Sequence, residues 1–259
     1  MSLHQITNNS DPVVKGSRNL CLGLCLAFIL TSVVAVNAQH VNANSGGDNI
    51  QSRQAAQTVR TSVLTAEDKK GLTEKAAGWV AKLQLNDSQK AAKVKDIIYR
   101  HLEAVYSWNK SHDYTEVPAG LNPGTGQKLS ELDRKIIVQS SLPGAVHKDL
   151  MDGLRSNLSE QQVAQILDEY TIGKVAFTLK GYQAIVPDLT AEETKVILTN
   201  LEQAREQAID FKSMKSISGI FEIYKTRNEQ YLNAHGRNWH QLFKNYVQAA
   251  KAKKAAAKK

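Results

Sequence analysis

Beyond residue 60, apolar residues recur every three or four positions along most of the chain. Leu72, Ala76, Trp79, Val80 and Leu83 fall on one helical face, and Val94, Ile97, Ile98, Leu102, Val105 and Trp108 on another. Leu198, Leu201, Arg205, Ala208 and Ile209 make a third stripe, and Phe221, Tyr224, Asn228, Tyr231 and Leu232 a fourth. Stripes of this width are the side a helix buries against its neighbours. No alternation typical of a β-hairpin competes with them. The pattern predicts an all-α protein, a single compact domain of about seven or eight packed helices over residues 61–248.

The polar positions punctuate this pattern. Leu64-Thr65-Ala66-Glu67-Asp68, Leu85-Asn86-Asp87-Ser88-Gln89, Leu158-Ser159-Glu160-Gln161-Gln162 and Leu189-Thr190-Ala191-Glu192-Glu193 share one grammar. An apolar residue precedes a capping hydroxyl or amide, and a side chain able to bond back follows three residues later. That is a capping box, and it predicts helix starts at Thr65, Asn86, Ser159 and Thr190. Each cap stabilises its helix by about 1 kcal/mol.

Two segments interrupt the helical period. Residues 113–128 carry Pro118, Gly120, Pro123, Gly124 and Gly126, a loop longer than helix connections need and a candidate cover for a site. In Thr171-Ile172-Gly173-Lys174-Val175-Ala176-Phe177, helical spacing gives way to alternation at Val175, Phe177 and Leu179. β-Branched residues beside a glycine weaken a helix, and a broken helix offers backbone groups for binding.

The chain begins differently. Lys15 and Arg18 precede an uncharged apolar run from Leu20 to Val36, which ends in Val36-Asn37-Ala38. This order of charge, apolar stretch and small-residue cleavage site predicts a secretory signal peptide over residues 1–38. The alternative is an uncleaved anchor of minimal spanning length. Cleavage would leave no stable membrane anchor and a periplasmic or secreted protein. Residues 39–60 read as a polar linker. Both cysteines, Cys21 and Cys25, lie in the predicted signal, which excludes disulfides and thiolate chemistry from the mature chain.

Charge adds little. The formal net charge is +8, but Lys251, Lys253, Lys254, Lys258 and Lys259 in the Ala/Lys-rich tail, residues 249–259, supply most of it. A basic end without a basic body does not point to nucleic acid. The tail reads as a solubilising extension of the last helix. No phosphate-binding glycine loop or nucleophile elbow is present. His101 and His112 share a helix face at a separation too long for one metal, and His235 and His240 miss the ligand spacing, so no metal or cofactor is expected. Asp168 with Glu169, or Glu202 with Glu206, could act as paired carboxylates, although Arg205 between the latter two suggests pairing within the helix.

The C-terminal half resembles a known family. The segments that carry the likeness are LRSNLSEQQVAQILDEYTIG (154–173), GYQAIVPDLTAEE (181–193), LEQAREQAIDFKSMK (201–215) and IFEIYKTRNEQYLNAHG (220–236). They are similar to secreted bacterial proteins of unknown function, catalogued as candidate sugar binders and found in polysaccharide-degrading Gram-negative bacteria. The family's Ala-Arg-Glu-x-Ala-x-Asp motif is met by Ala204 to Asp210. Its Phe-x-x-Tyr-Lys-x-Arg motif is met by Phe221, Tyr224, Lys225 and Arg227. Its Asp before a helix break is met by Asp168, with Thr171 and Gly173 following. The family's Gly-Met-Thr-Tyr after that Asp is replaced by Glu169-Tyr170-Thr171-Ile172, which marks a divergent member.

The resemblance implies a non-catalytic binding or accessory protein for acidic oligosaccharide in polysaccharide utilisation. Its implied ligand-binding residues are Asp168, Arg205, Asp210, Tyr224, Lys225 and Arg227, with the cations on sugar carboxylates and tyrosine on a sugar face. Two other readings remain open, a glycan-active enzyme and a helical interaction protein with no small ligand. Gathering of the six residues around one pocket would favour a ligand site; ion pairs between helices would report fold alone.

Overall fold

The computed structural model describes residues 63–123 and 125–256. The predicted signal peptide and the whole of the predicted linker lie outside the described residues. Within them the chain is all-α, with nine α-helices and no strand. They are α1 (Ala66–Ala81), α2 (Ser88–Ser111), α3 (Glu131–Ser140), α4 (Gly144–Arg155), α5 (Glu160–Thr171), α6 (Lys174–Ile185), α7 (Ala191–Ala208), α8 (Met214–Ala234) and α9 (Trp239–Ala256). None of these helices is long and apolar enough to cross a membrane.

Three predicted capping boxes close reciprocally, at Thr65 with Asp68, Ser159 with Gln162 and Thr190 with Glu193. The fourth start shifts by one residue. Asp87, not Asn86, caps α2, and one carboxylate oxygen accepts from both Gln89 N (2.9 Å) and Lys90 N (3.0 Å). A carboxylate at a helix N-terminus also gains from the helix dipole, which an amide does not. A further box, Ser130 with Asp133, starts α3. Asp68 carries a second duty, since Lys110 at the end of α2 reaches it at 2.6 Å. That hydrogen bond and those from Thr65 hold its carboxyl far below the usual range.

The apolar stripes pack into two main cores. The first gathers α1, α2, α4 and α5, with Val94, Ile98, Leu150, Leu154 and Ile166 almost wholly buried. Gly153 allows α4 to approach α2: a Cβ there would lie 2.9 Å from Ile97 Cγ2. The second core gathers α6, α7 and α8 around Ile197, Leu201, Ile220, Phe221 and Leu232. α3 lies against α8 and is tied to α2 by Trp108 Nε1 donating to Val138 O at 2.9 Å.

The break at 171–177 is real but shorter than the pattern suggests. Ile172 (φ 54°) and Gly173 (φ 62°) are both left-handed, and helix resumes at Lys174. The alternation at Val175, Phe177 and Leu179 is therefore not extended chain. Val175, Leu179 and Tyr182 follow helical spacing and pack into the second core. Contact with α7 outweighs the weak local helix preference, as tertiary packing commonly does. Residues 113–128 form a short 3-10 turn, Tyr114–Glu116, and a tight reversal with Leu121 paired to Lys128. Arg134 Nε donates to Val117 O at 2.8 Å and holds the segment on α3.

Candidate functional site

A groove of about 650 Å³ opens between α6, α8 and α9. That size falls within the roughly 300–1,000 Å³ usual for small-ligand pockets. Val175 and Tyr182 fix the buried face of α6, so Phe177, two residues from Val175, must point the other way. Its ring is 78% exposed, an unusual position for so large an apolar group. α9 supplies Trp239, Phe243 and Tyr246 at helical spacing along the same groove. Trp239 contacts Tyr182 (ring centroids 5.2 Å apart) and stacks near Phe243 (6.2 Å). Phe243 and Tyr246 are 47% and 41% exposed.

The polar groups of the groove come mainly from α6 and α8. Lys174, Lys180 and Lys225 face Glu222 and Glu229 there. Lys174 Nζ lies 5.6 Å from the Phe221 ring centroid. Lys225 Nζ is 3.0 Å from both Glu222 oxygens. Burial raises the Glu229 carboxyl above its ordinary value, against the pull of Lys225.

Arg237 sets the angle of α9. Its guanidinium meets Glu193 in two-pronged fashion at 2.8 and 2.9 Å, and Asp188 Oδ2 at 2.8 Å. Those bonds keep Glu193 down at about 2. The residue before it, Gly236, sits at φ 86°, the left-handed turn that ends α8. The α7 cap thus anchors the wall that carries the aromatic row.

A second polar cluster joins the two cores. Asp210, just after α7, lies between two histidines: His101 Nε2 on α2 is 2.9 Å from Oδ1, and His147 Nδ1 on α4 is 2.8 Å from Oδ2. An ionised carboxylate only accepts, so both ring nitrogens donate to it. Burial would raise the Asp210 carboxyl, but the hydrogen bonds from His101 and His147 outweigh it and hold it below its ordinary value. The same bond is the main reason His147 is raised. Glu206 lies 3.8 Å from His147 Nε2 and 3.4 Å from Arg155.

Residues 69–252 match the family described as Protein of unknown function (DUF3826). The chain belongs to this family. Nothing among curated proteins matches it. The matched stretch takes in most of α1, all of α2 to α8 and most of α9, so the groove, the second core and all of the first core but Leu64 lie inside it.

The structure does not bring the six sequence-predicted residues of this family member together. Arg205 NH1 donates to Asp168 at 2.9 Å, a bond between α7 and α5. Pairing of Arg205 within its own helix is thereby replaced by an interhelical bond, because its face is turned inward. Asp210 belongs to the histidine cluster. Tyr224 is nearly buried, with the Arg227 guanidinium 4.6 Å above its ring. Lys225 alone of the six lines the groove, beside Phe221 of the same motif. His147 and the α9 aromatics escaped the sequence reading, which weighed His101 only as a metal ligand beside His112. Trp239, Phe243 and Tyr246 carry a signal, i, i+4, i+7 spacing, but such spacing ordinarily marks a core face.

Proposed function

We propose that the protein is an exported, non-catalytic binding or accessory protein for acidic oligosaccharide, and that the α6–α8–α9 groove is its site. One observation carries the reading: an open groove holds a row of exposed rings beside unburied lysines. Sugar rings present apolar C–H faces that stack on aromatic side chains, while uronic carboxylates form charge-assisted bonds with ammonium groups. The family resemblance supports the same ligand class. Export rests on residues 1–38, and N-terminal sequencing of protein from the cell envelope should begin at or near Gln39.

Calorimetric titration with oligogalacturonate and a neutral oligosaccharide of equal length tests the groove. The acidic ligand should bind more tightly. Phe177→Ala should weaken binding about fivefold, since losing one aromatic contact costs roughly 1 kcal/mol. Lys225→Gln should narrow the preference for the acidic ligand, and both variants should melt like the parent. Wild-type affinity in both variants, or no binding of either sugar, would remove the groove from the account. Appearance of shortened products would favour the enzymatic reading. Glu222 and Glu229, two helical turns or roughly 10.5 Å apart along α8, would then be the carboxylates to test.

A further inference from the structure

A separate cleft of about 320 Å³ opens where α1, α2, the α5–α6 break and the α7–α8 connection meet. Its rim gathers two ammonium groups on one tyrosine. Lys75 Nζ is 3.2 Å from the Tyr106 hydroxyl and 5.6 Å from the ring centroid. Lys212 Nζ is 4.8 Å from the same centroid. Among the described residues neither lysine is paired with a carboxylate. Two like charges drawn to one ring repel each other, and an anion between them would relieve that repulsion.

One further observation marks the same cleft, whose wall includes Tyr170. Ile172, also in the wall, holds a left-handed backbone that β-branched residues rarely adopt, with 71% of its surface exposed. A glycine or asparagine would meet the helix break without strain. Strained residues of this kind concentrate at ligand sites.

We infer that this cleft is a second ligand site, independent of the groove, for a single-ring carboxylate. The carboxylate sits between Lys75 and Lys212, the ring lies against Trp79 and Tyr106, and Ile172 forms the apolar edge. The volume matches one ring with its acid group. An aromatic acid and a free uronic acid share this chemistry.

An ¹⁵N NMR titration of the protein with 4-hydroxybenzoate, and separately with galacturonate, tests the site and identifies the source. At least one acid should give saturable shifts at Lys75, Trp79, Tyr106 and Lys212, and 4-hydroxybenzoate should leave Phe177 and Phe243 unmoved. The double variant Lys75→Gln/Lys212→Gln should weaken that binding at least about tenfold, the loss expected for charge-assisted hydrogen bonds. Lys212→Gln alone, which removes only a ring contact and so spares the fold, should weaken it measurably. Phe177→Ala should leave it unchanged, which separates this site from the groove. No saturable shift with either acid, shifts confined to the groove, or undiminished binding in the double variant would overturn the inference.

Discussion

Asp210→Ala should lower the stability of the protein by about 2–4 kcal/mol, since it strands a buried histidine donor and removes two hydrogen bonds to a carboxylate. His101 is left with a side chain only 1% exposed and no acceptor for Nε2. His147 loses the carboxylate that orients it, and the α7–α8 connection loses its tie to α2 and α4. In a domain of this size the loss corresponds to a fall of roughly 10 °C in Tm. A fall of less than about 2 °C at pH 7 would show that the cluster contributes little.

The same variant has a signature in pH. His147 is raised above its ordinary 6.5, so its contribution is complete below that value and fades as pH rises through the folded pKa. Asp210 is lowered below its ordinary 3.8, so its contribution is complete above that value and fades as pH falls through the folded pKa. The difference in Tm between the parent and Asp210→Ala should therefore be widest between about pH 4 and 6.5. It should narrow on the alkaline side as His147 discharges, leaving the bond to His101. A difference independent of pH would assign the effect to packing alone.

Phe221→Ala should be comparably damaging, about 3–5 kcal/mol, through lost burial and the cavity left behind. Phe221 is 2% exposed, in the centre of the second core, and its ring edge also forms part of the groove beside Lys174. Stability and oligosaccharide binding should fall together, unlike Phe177→Ala, which should affect binding alone. Denaturant unfolding of the two variants, run beside the titrations, checks this contrast. Phe221→Leu should recover most of the stability and less of the binding, because leucine fills volume but offers no ring for Lys174 to lie over.

The difference between these phenylalanines shows where the sequence stops being legible. Phe221 sits in a stripe with Tyr224, Asn228, Tyr231 and Leu232, so its burial follows from spacing. Phe177 sits in a run whose local preferences read as extended, and its exposure depends on α7 forcing that run into a helix. The α9 aromatics were ambiguous in the same way: spacing places three rings on one face but not what that face meets. Arg205 was legible as a cation within an apolar stripe, but spacing along α7 pointed to its own helix for a partner; the packing of α7 on α5 decided for Asp168.

Helix class, the positions of Thr65, Ser159 and Thr190 as caps, and the inward faces of α1, α2, α7 and α8 were determined by the sequence itself. These depend on interactions within four residues, where chain geometry leaves little freedom. The groove, the His101–Asp210–His147 cluster and the two lysines on Tyr106 were decided only by the tertiary structure. Asp210 lies 109 residues from His101 and 63 from His147. Contacts at such separations exist only once the two cores have packed, and side-chain spacing along one helix carries no record of them.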